Sequence, residues 1–401
     1  MLSSLLSAFL LSIFVSSATA QTNTSSFSSF NCSEFLIPVS ISAQTIKFNL
    51  TNPKDQFELS GLVTRMTYLN STLVEEVTIG PSTVNATYNI WSQLCVPDGF
   101  DEENGILEFT IHGSTENHTY FNFGKESPFN YAEAALKAGH AIFTYDGLGT
   151  RSAGNSDKPD GIQDVQINTE TQVAIGLVDN LPNILSFGKL VGVGHAHGRH
   201  VFRVCLHLNL GANPRTSVIM IAMLAERGNL FDATVLTSVS ATLFGAIAGV
   251  AAMDVKIAAE TVPELYQGLS SSYAVSGGLT NDQITFYHYP FFEPEVFFEM
   301  QGGRGLIALG VLLTLPQNGV VSGYTNPLLV ATGDRDYFMC GGNCNVTVDN
   351  FPSRPATVGG LFPNVNNFLV YIPENTGHFM NYHFSAPQTF QFIQGWIKDA
   401  F

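Results

Sequence analysis

Beyond residue 35 the chain switches between short apolar runs and longer stretches in which apolar residues recur at helical spacing. Residues 37–41, 46–50, 73–79 and 86–91 alternate apolar and polar positions between Asn, Pro and Gly turns, which predicts antiparallel strands at the start of the fold. Residues 106–111 read as the next strand, 131–138 as a helix and 141–145 as a strand. Residues 166–185 place Val173, Ile175, Leu177, Val178 and Leu181 on an amphipathic helix ending near Pro182, and 190–193 is a short buried strand. Strand, helix, strand, helix, strand is the alternation of a parallel sheet. The helix due next is broken: residues 200–210 are apolar enough, but Asn209, Gly211, Asn213 and Pro214 interrupt it, and 217–224 is a second apolar run. Strands follow at 235–239, 328–332 and 368–372, then a helix over 387–400 that aligns Phe390, Ile393, Trp396 and Ile397 on one face. Residues 242–323 depart from this rhythm, first rich in Ala and Gly, then in Phe and Tyr. An insertion of that kind between core strands predicts a lid over a cleft, its aromatics packed on one another.

The chemistry-bearing residues fall at the ends of these strands. His112-Gly113-Ser114 follows 106–111, and Asp146-Gly-Leu-Gly149 follows 141–145. Gly149 is expected to supply a tight turn, and Asp146 to bond loop backbone. Gly194-His195-Ala196-His197-Gly198 follows the strand at 190–193, Gly333-Asp334-Arg335-Asp336 the one at 328–332, and Gly377-His378 the last. The stretch 194–198 has the form of a nucleophile elbow, Gly-x-Ser-x-Gly, in which a strained strand-to-helix turn displays the central side chain. Here that side chain is Ala196, which has no oxygen with which to attack.

In this order of nucleophile position, acid and histidine, the chain resembles the secreted α/β-hydrolases of the esterase and lipase type, with an amino-terminal extension and a helical lid. The likeness runs from about Cys95 to the end and fits worst over 200–225. It implies an α/β-hydrolase fold: a mostly parallel central sheet with helices on both faces, amino-terminal antiparallel strands and a lid. It implies His378 as general base and Asp336 as the carboxylate that orients it, rather than Asp334, because the usual spacing is Gly-x-x-Asp. It implies an oxyanion hole from the backbone N–H groups of Ser114 and His197. Gly147 stands where such loops often carry Arg, and Arg151 where Gly is common. We expect neither cofactor nor metal.

Ala196 opens three readings. The chain is a relative without turnover, because the covalent step needs a hydroxyl. Or it is an active serine hydrolase whose elbow is altered by mutation or a misread exon edge, a reading motivated by the helix breakers and four arginines within 199–227. Or the cleft binds small apolar acyl or ester ligands without converting them. His195, His197 and His200 also form a His-x-His-x-x-His cluster. If 196–200 is helical, however, His197 and His200 share a face and His195 does not, so no metal site is expected.

Composition sets the surroundings. A net charge of −16 with 17 Lys and Arg leaves no basic patch for nucleic acid or an anionic membrane. Residues 1–20 read as a secretory signal with the apolar run 9–15 and a small-residue end, Ala18-Thr19-Ala20. Residues 21–34 read as a flexible leader and 35–401 as one domain with the lid inserted at about 242–323. No later stretch is long and apolar enough to span a bilayer. Seven glycosylation sequons begin at Asn23, Asn31, Asn49, Asn70, Asn85, Asn117 and Asn345. Of five cysteines, Cys340 and Cys344 can close a small loop, Cys32 and Cys95 then pair by default, and Cys205 is left as a buried thiol. A secreted, disulfide-bonded glycoprotein is the expected setting.

Overall fold

A central sheet of eight strands organises the chain, with strand order β1-β2-β4-β3-β5-β6-β10-β11. The structure is a computed structural model that describes residues 31–125, 127–150, 156–196, 219–242, 244–314 and 319–401. Its strands are β1 (Asn31–Phe48), β2 (Thr78–Val96), β3 (Ile106–Ile111), β4 (Ala141–Tyr145), β5 (Lys189–His195), β6 (Ala233–Thr237), β10 (Leu328–Ala331) and β11 (Phe368–Tyr371). Strands β3 to β6, β10 and β11 pair parallel, while β1 with β2 and β2 with β4 pair antiparallel. Parallel strands covered on both faces read as continuous apolar runs, and β4, β6 and β10 are buried at every position. This is the mostly parallel sheet with amino-terminal antiparallel strands that the motif order implies.

Three early expectations change. The strands expected at 37–41 and 46–50 are one strand, β1, and the leader expected over 21–34 gives way to β1 at Asn31. The strand expected at 73–79 is mostly helix: α1 (Gln56–Met66) and α2 (Leu73–Val77) stand between β1 and β2. Leu73, Val74 and Val77 bury together at helical spacing, and Thr72 Oγ1 donates to the Glu76 carboxylate at 2.6 Å, four residues on. The long hairpin is closed at its base by Cys32–Cys95, and its inward residues Ile37, Val39, Ile41 and Ala43 are buried.

Helix α3 (Tyr131–Lys137) starts where the Asn130 side chain accepts from Glu133 N, and it returns the chain to β4. Helix α4 (Ile167–Asn180) packs on the hairpin, where Gln166 bonds both the N–H and the C=O of Ile46 at 2.9 and 2.7 Å. Helix α5 (Ile219–Arg227) leads into β6. Residues 200–210 and Cys205 lie outside the described residues.

The insertion after β6 holds α6 (Ala246–Ala252), β7 (Lys256–Ile257), α7 (Ala258–Thr261), α8 (Pro263–Tyr266), β8 (Tyr273–Val275), α9 (Leu279–Phe286), α10 (Pro294–Gly302), β9 (Ile307–Ala308) and α11 (Leu309–Leu313). It is thus helices around a small antiparallel sheet, β7-β8-β9, rather than helices alone. Its aromatics do pack on one another: Tyr287 meets Phe292 and Phe297 at ring distances of 4.8 and 4.9 Å. Helix α12 (Tyr337–Cys340) follows β10, and α13 (Ala386–Asp399) closes the chain with Phe390, Ile393 and Ile397 buried. Among the described residues no helix is long and apolar enough to cross a membrane.

Candidate functional site

Parallel strands end on the same edge of a sheet, so the loops after β3, β5, β10 and β11 converge. Gly333, after β10, has no room for a side chain: a Cβ there would lie 2.2 Å from Thr376 O. A Cβ at Gly377 would lie 2.8 Å from Phe286 O on the lid. These two glycines let the acid loop, the histidine loop and the lid close on one another.

The structure brings Asp336 and His378 together. His378 Nδ1 lies 2.8 Å from Asp336 Oδ2, with the carboxylate fully buried and the ring 3% exposed. Asp336 Oδ1 accepts from Met339 N at 2.7 Å, so one carboxylate both caps α12 and orients the imidazole. The Cys340–Cys344 disulfide braces that short helix, and Ser238 Oγ donates to His378 O at 2.6 Å. Asp334 is turned elsewhere: it accepts from Thr376 N at 3.1 Å and pairs with Arg335.

Ala196 follows directly on β5. Its N–H still donates to Thr237 O at 3.0 Å, and its φ is 27°, left-handed backbone unusual for a residue with a Cβ. The adjacent His195 ring lies 5.3 Å from the His378 ring, which places the elbow beside the histidine. His197, the second expected oxyanion donor, lies outside the described residues, as does His200. Ser114 is half-buried on the loop after β3. His112 holds that loop from below: its Nδ1 donates to Gly113 O at 2.8 Å and its Nε2 accepts from Gly147 N at 3.1 Å. Burial pushes the His112 imidazole below its ordinary range, which keeps it in this neutral, two-handed form.

Residues that the motifs did not single out complete the site. Glu116 is 1% exposed, accepts from Gly113 N with Oε2 at 2.6 Å, and places Oε1 3.5 Å from His195 Nε2. Burial pushes its carboxyl well above the usual carboxylate range, against a smaller opposing effect of the Gly113 N–H. His195 Nδ1 meets Tyr120 Oη at 3.0 Å and Thr237 Oγ1 at 2.9 Å, so this histidine is committed to the protein. Among the described residues no group of three His, Cys, Asp or Glu could hold a metal. Asp146 bonds a loop as expected: it accepts from His118 N at 2.7 Å and from the His118 ring at 3.0 Å. Gly149 takes the positive φ its turn needs, 75°.

The lid lies directly on this floor. Gly305 N donates to Thr115 O at 2.8 Å, and Phe286 stacks on Phe379 at 4.2 Å next to His378. A further histidine, His383, ties the parts together. Its Nε2 accepts from Gly377 N and from His288 N on the lid, both at 3.0 Å, and its Nδ1 donates to Phe379 O at 2.9 Å.

No protein-family model matches the sequence, and no curated protein matches it. Some solved structures resemble the chain distantly. An esterase from Thermogutta terrifontis is 13% identical over 78% of this chain and 94% of that one, with a TM-score of 0.47. A monoacylglycerol lipase from Paleococcus ferrophilus is 12% identical over 78% and 99%, with a TM-score of 0.45. A bromoperoxidase from Bacillus anthracis is 12% identical over 78% and 95%, with a TM-score of 0.45. At TM-scores below 0.5 these likenesses decide nothing, and the fold is read from the strands of this chain. The order of the strands, together with loops that converge at their carboxyl ends, makes this an α/β-hydrolase fold.

Proposed function

We propose that this chain is a secreted, esterase-like protein that keeps the acid–histidine pair and the covered cleft of a serine hydrolase but lacks the attacking atom. The observation that carries this reading is the buried 2.8 Å contact between His378 and Asp336 beside an elbow tipped by Ala196. With Asp336 ionised, His378 carries its proton on Nδ1 and presents Nε2 as acceptor. In a serine hydrolase that nitrogen takes the proton from the hydroxyl as it attacks, and backbone N–H groups, here assigned to Ser114 and His197, stabilise the oxyanion. With a methyl group at 196 no acyl-enzyme forms. What is left is residual acceleration of about 10³–10⁴-fold over water, from binding and the oxyanion hole. The aromatic lid surface beside His378 suits an apolar acyl or ester ligand.

Residues 1–20 would be removed as a signal, and the lid would span about 242–323. Export to an oxidising compartment agrees with the two bonded cysteine pairs. Exposed sequon asparagines Asn49, Asn70, Asn85 and Asn345 are positioned to carry glycans.

The test is a short-chain ester assay on the chain and on Ala196→Ser. Turnover in the serine form alone supports the lost-nucleophile reading; equal rates in both overturn it. The broken helix pattern of 199–227 favours a second reading, an active hydrolase whose elbow has been altered. A transcript that confirms every codon of 190–235 removes the misread form of that reading. Should neither form turn over, a thermal shift with fatty acids or esters reports a ligand-binding role, since a ligand selective for the folded state raises its stability.

A further inference from the structure

We propose that the cavity behind the 112–114 loop is a binding site for a small primary ammonium group, held by the Glu170 carboxylate and the Thr150 hydroxyl. The cavity measures about 30 Å³, and its walls include His112, Ser114, Tyr145, Thr150, Glu170 and Ala308. A water needs about 10–15 Å³ measured this way, so the space admits a group little larger than water, such as –NH₃⁺ with one methylene.

Glu170 lies on α4 and is 5% exposed. Residue 147 would be its natural cover, because a Cβ there would lie 3.1 Å from Glu170 Oε2 and 3.6 Å from Thr150 Oγ1. That residue is glycine, so the carboxylate and the hydroxyl converge on space that no side chain at 147 fills. The Leu148 N–H donates to the carboxyl and leaves lone pairs over. An ammonium has three N–H donors to satisfy. The carboxylate and Thr150 Oγ1 supply acceptors, and Tyr145 stands in the same wall. A neutral alcohol would satisfy the geometry as well, but it would not offset the cost of an ionised carboxylate on a residue only 5% exposed.

Electrostatics agrees with the geometry. Burial, opposed by the Leu148 N–H, pushes the Glu170 carboxyl up to about 8. The other titratable groups that face it are His112 after β3, Tyr88 on β2, Tyr145 on β4 and Tyr273 on β8. Asp160 and Asp164 act in turn on Tyr273. Burial holds His112 neutral from above and the three tyrosines neutral from below. Among these groups Glu170 is the one whose charge changes across neutral pH; Glu116, also raised by burial, is turned to Gly113 N in the neighbouring wall. A cation that binds the carboxylate competes with its proton, so affinity rises with pH.

This inference is independent of ester chemistry, because its readout is binding. The full chain is titrated calorimetrically with methylammonium chloride against matched sodium chloride, at about pH 9 and about pH 6. Saturable binding is expected at the higher pH and about 100-fold weaker binding at the lower, since the carboxyl is then almost wholly protonated. Tetramethylammonium, which is too wide and has no N–H, is expected not to bind. Thr150→Val should weaken binding, and Glu170→Gln should abolish it. Absence of saturable binding at the higher pH, or binding indifferent to pH, overturns the proposal. So does undiminished binding in Glu170→Gln. If that variant fails to fold, the pH comparison on the unaltered chain decides.

Discussion

Acid should loosen the joint between the lid and the His378 loop, and His383 sets how much. This ring is fully buried, and burial pulls its imidazole down to about 4, opposed by the bond to Phe379 O. The cause is geometric as well as dielectric. Nε2 must stay unprotonated to accept from Gly377 N and His288 N, and a proton there would turn an acceptor into a donor facing two donors. The unfolded chain titrates near the ordinary value of 6.5. Between these values the unfolded chain takes up a proton that the folded chain refuses, so stability falls as pH falls. A gap of two to three units corresponds to about 3 kcal/mol, lost progressively as pH drops through that window. Other groups work in the opposite sense. Glu170 and Asp282, raised by burial to about 8 and about 6, bind protons more readily folded than unfolded and favour the fold as pH falls. The measurement is therefore a difference. Urea unfolding of the chain and of His383→Gln is followed from neutral to acid pH, with the slope in urea checked for constancy. The glutamine form should be the less stable at neutral pH and should lose less on acidification, so the two curves converge as the acid limit is approached. Parallel curves would refute the reasoning, because the proton-linked loss would then lie somewhere other than this ring.

Two further outcomes follow from the framework. Cys32–Cys95 closes a loop of 63 residues, and Cys340–Cys344 one of 4. Loop-closure entropy assigns about 4 kcal/mol to the first and about 2 kcal/mol to the second, so Cys95→Ala should lower the denaturant midpoint by more than Cys344→Ala; equal losses would show that strain or residual structure dominates. Asn117 is 7% exposed, and its Oδ1 accepts from Thr119 N and Thr119 Oγ1 at 2.9 and 2.6 Å. Peptide mapping of exported protein should therefore find it bare while Asn49, Asn70, Asn85 and Asn345 carry sugar; a glycan on Asn117 would contradict its placement.

The parallel core was legible because burial on both faces writes itself into sequence. Strand β3 matches the expected residues 106–111, and the ends of β4, β10 and β11 fall within a residue of expectation. The segment Leu73–Val77 was not legible as helix, since apolar residues at 73, 74 and 77 satisfy a half-buried strand nearly as well. What supports the helix is a side-chain bond and an ion pair: Thr72 bonds Glu76 one turn on, and Glu76 pairs with Arg65 on α1, a partner that only the fold supplies. Asp336 and His378 were legible because each follows a glycine at a strand end, where loops converge. Glu116, Glu170 and His383 were not, since nothing local distinguishes a buried acid from a solvated one. The two acids are buried by residues 305–311 of the lid and by β5, and His383 by Tyr287, His288 and Phe292, all far away in sequence.

The bend at Ala196 is the harder case, because the residue that makes it is not glycine. A non-glycine residue at positive φ costs on the order of 1–3 kcal/mol, and burial of one methyl group, on a residue 3% exposed, offsets only part of it. The strain is imposed by its neighbours. Strand β5 is pinned on one side by β3 up to Gly194 and on the other by β6 up to His195. His195 is locked by Tyr120 and Thr237, and the Ala196 N–H is claimed by Thr237 O. The chain enters position 196 already aimed, whatever side chain stands there. Putting a hydroxyl on that carbon should thus need no rearrangement of the strand, and the serine form can be compared with the native chain as a change of one atom rather than of a site.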